Sequence, residues 1–332
     1  MNHAPMLSVR HATKHFPVRG GVLLRTIGHV HAVDDVSFEV RPGETFGLVG
    51  ESGCGKTTIG RLIVRLHTPT AGDVFFEDQN VLAWDRKLLA RNVQYIFQDP
   101  YGSLNPRLTV GSIIGEGLTA HALGTRAERA ERAREMMNVV GLNSQYAQRY
   151  PHEFSGGQRQ RIGIARALVL RPKFVVCDEP VSALDVSIQS QILNLLKDLQ
   201  GEFGLTYLFI AHNLAVVRYV CDRVAVMYLG RLVEMAETDE LFERPLHPYT
   251  QGLIAAVPAT HPSQKRDRAV VRGELPSPMN PPRGCRFHTR CPLARDVCRE
   301  VDPDLIDYGQ QHFAACHVVH EQLGGTATPP SH

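Results

Sequence analysis

The sequence predicts an α/β protein with a mostly parallel β-sheet, and three observations support this. An apolar run, Thr45–Val49, precedes a glycine-rich segment and a stretch whose apolar residues share one helical face. Strand-like and helix-like segments alternate again over residues 174–227. The chain has 332 residues, 43% of them hydrophobic, which exceeds the length that one core usually serves. Two domains, or one domain with an appendage, are therefore expected.

Periodicity and turn residues place the individual elements. Strands are predicted at residues 36–40, 45–49, 174–177, 206–211 and 223–227, and helices at residues 57–66, 125–140 and 187–203. The interval from about 88 to 160 is predominantly helical and predicts an inserted helical subdomain. Prolines multiply from Pro245 onward and predict an extended linker, while residues 324–332 have a disordered composition. We therefore predict a domain over residues 1–255 and an extension over 256–332.

Composition bounds the partners and the location. Lysine and arginine total 36 against 34 acidic residues, so charge gives no reason to expect nucleic acid as a partner. The apolar runs fall short of the roughly 18 residues that a membrane-spanning helix needs. Residues 1–10 lack the features of a secretory signal. The expected location is the cytosol.

The seven cysteines are unevenly distributed, and four of them crowd the end of the chain. In a reducing cytosol such a group indicates metal binding or packing rather than disulfides. Five, six and seventeen residues separate Cys285, Cys291, Cys298 and Cys316. This spacing lacks the C-x-x-C pairs of a zinc ribbon and the common ferredoxin pattern. A zinc site, and four reduced cysteines that pack in a small core, remain alternative explanations of this group.

The glycine-rich segment fits the phosphate-binding pattern G-x-x-x-x-G-K-[ST] between a strand and a helix. Small residues allow the backbone to curl around phosphates, Lys56 would reach the β and γ oxygens, and Thr57 would offer a hydroxyl to Mg²⁺. Cys54 is interpreted as a tolerated small residue rather than a redox switch. The alternative is a chance glycine-rich turn. The predicted nucleotide-binding residues here are Gly50, Glu51, Ser52, Gly53, Cys54, Gly55, Lys56, Thr57 and Thr58.

A pair of carboxylates, Asp178 and Glu179, follows the apolar strand predicted at residues 174–177. Ligands usually bind at this carboxyl edge of a parallel sheet. Asp178 suits the coordination shell of Mg²⁺, and Glu179 suits a base that polarises the attacking water. A helix cap would explain the pair equally well without the glycine loop.

The segment Phe154-Ser155-Gly156-Gly157-Gln158 resembles the L-S-G-G-Q signature of the ABC ATPase family, with Phe154 in place of leucine. A serine and two glycines at a helix start expose amides that can hold a γ-phosphate. The other family elements follow the family's order: Gln98, Ser182-Ala183-Leu184-Asp185 after Glu179, and His212 after a strand. Taken singly, each of these residues has an ordinary structural explanation.

The resemblance implies a P-loop NTPase core with an antiparallel β subdomain and the inserted helical subdomain. It also implies a head-to-tail pair of ATPase domains, in which Ser155, Gly156, Gly157 and Gln158 act on the partner's ATP. The roles it implies for single residues are catalysis by Glu179, His212, Gln98 and Lys56, Mg²⁺ binding by Thr57, Gln98 and Asp178, and contact between subunits by Asp185. For the adenine, Phe16 matches the family's aromatic position best; His31, or a core role for Phe16, remains open.

Two further segments resemble the oligopeptide and dipeptide importer branch: residues 99–107 after Gln98, and His247-Pro248-Tyr249-Thr250. The cysteine segment resembles that branch's C-terminal extension and implies a [4Fe–4S] cluster on Cys285, Cys291, Cys298 and Cys316. The branch further implies a homologous, non-identical ATPase partner, two transmembrane permeases and a periplasmic or extracellular substrate-binding protein. The chain would lie peripherally on the cytoplasmic face of the plasma (inner) membrane and hydrolyse ATP for peptide uptake. Nickel import, or a soluble ABC ATPase without a transport role, are the alternatives.

Overall fold

Strands and helices alternate along the chain in a computed structural model, which describes residues 4–20, 25–256 and 273–323. The strands are β1 (Leu7–Gly20), β2 (Arg25–Val40), β3 (Thr45–Val49), β4 (Ala71–Phe76), β5 (Gln79–Asn80), β6 (Val93–Ile96), β7 (Phe174–Asp178), β8 (Thr206–Ala211), β9 (Arg223–Tyr228), β10 (Arg231–Glu237), β11 (Ile306–Asp307) and β12 (Phe313–Ala314). The helices are α1 (Lys56–Ile63), α2 (Arg86–Asn92), α3 (Val110–Ala120), α4 (Arg126–Val139), α5 (Gly156–Leu168), α6 (Val186–Phe203), α7 (Leu214–Val220), α8 (Thr238–Glu243), α9 (Pro248–Ala255), α10 (Val297–Glu300) and α11 (His317–Leu323).

Proximity of Cα atoms divides the chain into two units that interleave in sequence. Within the described residues, unit 1 comprises residues 4–6, 40–44 and 77–210. Unit 2 comprises residues 7–20, 25–39, 45–76, 211–256 and 273–323. Unit 2 includes residues on both sides of residue 255, where the sequence predicted a domain boundary. That boundary stays a prediction.

Unit 2 contains two sets of strands. In one, the order is β2-β1-β4, and β1 pairs with β4 antiparallel. In the other, the order is β11-β12-β10-β9-β3, with β3 parallel to β9 and β10 antiparallel to β9. Every residue of β3 is buried, as expected for a strand covered on both faces. The predicted antiparallel β subdomain corresponds to the first set.

Two expectations for the N-terminal part of unit 2 need correction. The strand predicted at residues 36–40 is the end of the longer β2, which starts at Arg25. Helix α1 ends at Ile63 instead of residue 66, because Arg65 takes a left-handed conformation (φ 56°) that stops the helix.

The predicted extended linker from Pro245 onward is wrong for its first part. Residues 248–255 form α9, with Pro248 in the first turn, where a missing N–H costs nothing. The side chain of His247 caps this helix by accepting from the Tyr249 N–H at 3.1 Å. The remainder of the predicted linker, residues 257–272, and the predicted disordered end, residues 324–332, lie outside the described residues.

Unit 1 contains the parallel strands β6, β7 and β8, in the order β8-β7-β6. All five residues of β7 are buried. Helix α4 starts with a capping box between Thr125 and Glu128, and α6 ends at Gly204, whose φ of 64° favours glycine. These local signals explain why both helices were predictable from sequence.

The predicted helical interval from about 88 to 160 contains most of α2, all of α3 and α4, the start of α5 and two short 3-10 turns. It also contains β6, which the prediction of a helical interval missed. The residues Val93, Tyr95 and Ile96 are buried, and β6 pairs with β7 in parallel register. A short apolar run is ambiguous between helix and strand, and pairing with β7 decides it here. Among the described residues, no helix is long and apolar enough to span a membrane.

Candidate functional site

The glycine loop of unit 2 has a backbone that only glycine can adopt at two positions. Gly50 and Gly55 have φ values of 152° and 110°. A Cβ on Gly50 would lie 2.1 Å from the Met227 carbonyl oxygen, and a Cβ on Gly55 would lie 2.0 Å from that of Ala32. The loop therefore passes between two backbone segments that leave no space for a side chain.

Lys56 lies at the start of α1 and points back into the loop. Its side chain is 4% exposed, and its Nζ donates to the carbonyl oxygens of Gly50 at 2.7 Å and Glu51 at 3.0 Å. The ammonium group thus lies where the loop and the N-terminus of α1 meet, which is a favourable environment for an anion. Thr57 and Thr58 follow in the first turn of α1. This arrangement can hold the phosphates of a nucleotide.

Cys54 lies inside the loop and is 1% exposed. Burial raises the pKa of its thiol, so the group is neutral at physiological pH despite the nearby Lys56 ammonium. Its carbonyl oxygen accepts from the Gly230 N–H at 2.9 Å, in the turn between β9 and β10. The geometry suits a small packing residue that anchors the loop.

The carboxylates of unit 1 lie at the end of β7 and are held by side chains from around β6. Tyr95 Oη donates to Asp178 Oδ2 at 2.6 Å, and Gln98 Nε2 donates to Glu179 Oε2 at 2.9 Å. Asp178 is buried, whereas Glu179 is half-buried and has a left-handed backbone (φ 45°). Strained non-glycine backbones concentrate at functional sites. The predicted trio of Gln98, Asp178 and Glu179 is therefore brought together.

Tyr95 is a residue that reasoning from the sequence missed. Its hydroxyl donates to Oδ2 of the buried Asp178 carboxylate and fixes the orientation of that group. The available signal was an aromatic residue with a polar hydroxyl at the penultimate position of β6, the strand next to β7.

The signature segment forms the N-terminus of α5 in unit 1. Ser155 caps the helix by a reciprocal box: Ser155 N donates to Gln158 Oε1 at 2.9 Å, and Gln158 N donates to Ser155 Oγ at 3.4 Å. Both side chains are exposed, while Phe154 is buried against Tyr146. A Cβ on Gly157 would lie 2.5 Å from Ile188 Cγ2 of α6. The capped turn is thus an open surface that rests on α6.

Two further predicted residues flank helices. Asp185 precedes α6 in unit 1 and is exposed, and its side chain makes no capping hydrogen bond. His212 directly follows β8, belongs to unit 2 and is exposed. Both side chains can therefore meet a ligand or a second chain.

The candidate adenine residue, Phe16, lies on β1 and is half-buried. Its ring is 5.2 Å from the His67 ring, edge to face, and the Lys14 ammonium lies 5.1 Å from its centroid. The alternative residue, His31, packs against His15 with ring centroids 4.1 Å apart. Phe16 offers a partly free aromatic face, so neither candidate is eliminated.

The four cysteines of the extension are free thiols in unit 2. Burial raises the pKa of Cys285 to about 12, and it also raises those of Cys291 and Cys316. No three of the four sulfurs lie within 4.8 Å of one another; among the described residues that closeness is reached only by His15, His31 and Asp34. Sulfurs around a single tetrahedral zinc ion would be about 3.8 Å apart, given Zn–S bonds of about 2.3 Å. The thiols are therefore grouped more widely than zinc requires.

Within unit 2, the extension contacts a buried carboxylate, that of Glu234 in β10. Its oxygens accept from the backbone N–H groups of Leu246 at 2.7 Å and His247 at 2.9 Å. His312, which precedes β12, contacts the same carboxylate through Nε2 at 2.8 Å, and both side chains are fully buried. A buried charge is tolerated only when its hydrogen-bonding capacity is satisfied, as it is here.

The predicted site residues are thus distributed over both units. Unit 1 carries Gln98, the signature segment, Asp178, Glu179 and Asp185. Unit 2 carries Phe16, the whole glycine loop, His212 and the four cysteines. Of the predicted Mg²⁺ ligands, Thr57 lies in unit 2, and Gln98 and Asp178 lie in unit 1.

The sequence matches two protein-family models and is similar to proteins of known name. Residues 33–182 match the family model described as ABC transporter, and residues 233–298 match that of the oligopeptide/dipeptide transporter C-terminal region. The oligopeptide transport ATP-binding protein AppF of Bacillus subtilis is 53% identical, over 96% of this chain and 98% of its own length.

Solved structures give the same result for the fold. The ATP-binding cassette MJ0796, in a dimeric post-hydrolysis state bound to ADP and Pi, aligns with a TM-score of 0.62 and 28% identity, covering 70% of this chain and 99% of its own. CbiO1 of Clostridium perfringens, part of the ABC transporter complex cbiONQ, aligns with a TM-score of 0.62 and 26% identity, covering 73% and 92%.

A glycine loop around a buried lysine, in a protein that also carries a capped signature helix, defines the class of ATP-binding cassette ATPases. The chain belongs to the ABC transporter family, as an ATP-binding subunit of its oligopeptide/dipeptide branch. The fold class and the family that the sequence predicted are therefore confirmed, and the protein is an ATPase of that family.

Proposed function

We propose that this chain hydrolyses ATP to power the import of di- and oligopeptides through separate permease subunits. The observation that carries the proposal is the 53% identity to an oligopeptide transport ATP-binding protein over nearly the full length of both chains. The match of residues 233–298 to the oligopeptide/dipeptide C-terminal region adds support outside the ATPase motifs.

In the proposed mechanism, the glycine loop and Lys56 bind the β- and γ-phosphates of ATP. Thr57, Gln98 and Asp178 are the residues that would hold Mg²⁺, which neutralises charge on the phosphate oxygens when bound. The Asp178 carboxylate fits this role, because it is buried at the end of β7 and the 2.6 Å hydrogen bond from Tyr95 fixes its orientation.

Glu179 is the proposed base that orients and polarises the attacking water. The Gln98 amide holds one of its oxygens at 2.9 Å and so fixes the orientation of the carboxylate. His212 is proposed to contact the γ-phosphate. Catalysis in phosphoryl transfer comes mainly from such positioning and charge stabilisation.

We propose that the working state is a head-to-tail pair with a homologous, non-identical ATPase subunit. The exposed side chains of Ser155 and Gln158 and the exposed Asp185 support this, because none of them is buried within its own chain. Ser155, Gly156, Gly157 and Gln158 would contact the partner's ATP, and Asp185 would contact the partner itself. The dimeric state of MJ0796 is a precedent among related cassettes.

We propose two transmembrane permeases and a periplasmic or extracellular substrate-binding protein as the remaining partners. The chain would then lie on the cytoplasmic face of the plasma (inner) membrane. The loop after Gln98 is the proposed permease contact, and its Tyr101 is 64% exposed. An exposed aromatic side chain of this size is a common anchor at protein interfaces.

Replacing Glu179 by glutamine tests the catalytic assignment. We expect ATP binding to persist while phosphate release falls about a hundredfold or more, because the base is lost and the loop is not. Both quantities are measured on the subunit assembled with its partner ATPase. Glu77→Gln, which changes an exposed carboxylate paired with Lys173, is the matched control. Near-normal turnover at both sites of the Glu179→Gln pair would contradict the assignment.

Transport itself is tested by reconstitution with the adjacent permeases and binding protein in vesicles. We expect ATP-dependent uptake from a panel of di- and oligopeptides and no uptake of Ni²⁺. Uptake of Ni²⁺ alone would identify a nickel importer. ATP hydrolysis that the permeases neither stimulate nor require would favour a soluble ABC ATPase.

We propose that Cys285, Cys291, Cys298 and Cys316 hold a [4Fe–4S] cluster with a structural or pairing role. Besides burial, the nearness of the other three cysteines raises the pKa of the Cys285 thiol, yet no three of the four sulfurs lie within 4.8 Å of one another. This wider grouping suits ligands around a group larger than one zinc ion. Iron and sulfide analysis after anaerobic purification tests this. A colourless, iron-free protein loaded with zinc would contradict it.

A further inference from the structure

The glycine loop carries a negatively charged residue, Glu51, beside the proposed phosphate site. A carboxylate near a polyphosphate is unfavourable, because like charges repel more strongly where protein excludes water. Its side chain is 31% exposed, so solvent screens it only in part. Some other group must therefore offset this charge if ATP is to bind well.

Arg290 of the cysteine-bearing extension supplies that offset. Its Nη1 donates to Glu51 Oε2 at 2.7 Å, and its Nη2 donates to Glu51 Oε1 at 3.0 Å. Paired donation of this kind is the strong geometry for a guanidinium and a carboxylate. An exposed ion pair would contribute little, but the Arg290 side chain is only 8% exposed.

Arg290 is itself held in place by the turn that bears it. Its backbone N–H donates to the Phe287 carbonyl oxygen at 2.9 Å. Phe287 is 1% exposed and packs edge to face against Tyr228, with centroids 5.2 Å apart. The Arg290 guanidinium lies 5.8 Å from the same Tyr228 ring. The arginine thus reaches the loop from a fixed base and loses little conformational freedom in doing so.

The backbone of Glu51 is held as well. Its N–H donates to Tyr249 Oη of α9 at 2.9 Å, and its carbonyl oxygen accepts from Lys56 Nζ at 3.0 Å. The Tyr249 ring packs against Phe287 at 5.4 Å, so one aromatic group supports both the arginine and the tyrosine. Every polar group of Glu51 has a partner, and one of those partners is the lysine proposed to bind phosphate.

We infer that Arg290 is a positioning residue for ATP binding: through Glu51 it fixes the glycine loop and cancels a charge that would repel the phosphates. It connects the cysteine-bearing extension to nucleotide affinity, and this connection rests on the proposed role of the loop in binding ATP. The extension is then part of the ATP-binding device rather than an appendage to it.

The test is a double-mutant cycle on the full chain, read as the ATP dissociation constant and as KM and kcat. Arg290→Gln should weaken ATP binding about tenfold, which corresponds to about 1.4 kcal/mol, and should raise KM more than it lowers kcat. Glu51→Gln alone leaves the Arg290 charge uncancelled beside the phosphates and should tighten ATP binding. The double variant should recover to within about threefold of the wild type, because the uncancelled charge is gone.

Arg295→Gln is the matched control, since Arg295 pairs with Glu321 in the same extension and both side chains are exposed. It should leave ATP affinity unchanged. If Arg290→Gln does not fold in a thermal melt, Arg290→Lys replaces it in the cycle and should show a smaller, equally rescued loss.

Two results would overturn the inference. One is unchanged ATP affinity in a folded Arg290→Gln protein, and the other is a loss that Glu51→Gln does not rescue, as a purely structural arginine would give. A wild-type chain that binds no ATP would instead defeat the proposed role of the loop, so the two failures are distinguishable.

Discussion

The glycine loop and the signature segment are both glycine-containing turns at the start of a helix, but their glycines serve different physical needs. In the loop, Gly50 and Gly55 have positive φ values and touch backbone oxygens closely. In the signature segment, Gly157 is helical, and only the Ile188 side chain limits its size. The loop is thus fixed by backbone geometry, whereas the signature turn is fixed by packing on a neighbouring helix.

The two turns also differ in how they are completed. Lys56 is buried and already bonded within the loop, so unit 2 contains a preformed anion site. Ser155 and Gln158 satisfy each other and remain exposed, so the signature turn offers its surface outward. The first turn can bind phosphate within one chain, while the second suits a ligand that another chain brings.

The largest expected effect is on the loop. Gly55→Ala should weaken ATP binding at least a hundredfold, because its Cβ would overlap the Ala32 carbonyl at 2.0 Å and its backbone cannot relax cheaply. Calorimetric titration with ATP measures this, with a thermal melt to verify folding. Gly53→Ala is the control: its φ is also positive, at 80°, but nothing lies within 4 Å of a Cβ there. Equal losses in the two variants would show that close approach of the backbone is not the cause.

A smaller effect is expected at the signature turn. Gly157→Ala should destabilise unit 1 by about 2 kcal/mol, because the added methyl overlaps Ile188 Cγ2 at 2.5 Å. ATP binding by the lone subunit should be unchanged. Denaturant unfolding measures the loss, and the Gly157→Ala/Ile188→Ala double variant should recover most of the stability lost relative to Ile188→Ala alone. Absence of that recovery would mean that the glycine is needed for its backbone, as in the loop.

The smallest expected effect is a pH-dependent loss of stability that arises from His247 in unit 2. Burial lowers the pKa of His247 from 6.5 to about 3, and its Nδ1 must stay unprotonated to accept from the Tyr249 N–H. The unfolded chain then binds a proton that the folded chain excludes, so this contribution to stability is complete above pH 6.5 and declines as pH falls toward 3. Between pH 7.5 and 5.5 the loss is about 1.4 kcal/mol.

Thermal melts at a series of pH values measure this slope. His247→Asn keeps an acceptor for the helix cap but does not titrate, so its slope should be shallower by that amount. Because α9 carries Tyr249, which bonds the loop at Glu51, ATP affinity should weaken in parallel. An identical slope in the variant would exclude His247 as the titrating group.

Much of this site was predictable from sequence because its signals are local. A buried strand, the glycine spacing and a helix periodicity predicted the loop, and a serine followed by two glycines predicted a helix start at the signature segment. The resemblance implied a role in Mg²⁺ binding for both Gln98 and Asp178, but only the structure shows that Gln98 contacts Glu179. The missed features are those in which an apolar or proline-containing segment takes its structure from distant partners, as β6 does from β7 and α9 does from Glu234.

The sequence by itself determined the class of protein, the glycine-loop pattern between a strand and a helix, and the presence of a cysteine-bearing extension, because backbone constraints and spacing are written in consecutive residues. Only the tertiary structure decided that Arg290, 239 residues away from Glu51, neutralises that carboxylate, that Tyr95 holds Asp178, and that Ile188 limits Gly157. These are pairwise contacts between side chains far apart in the chain, and no local pattern encodes which charge or ring will meet which partner.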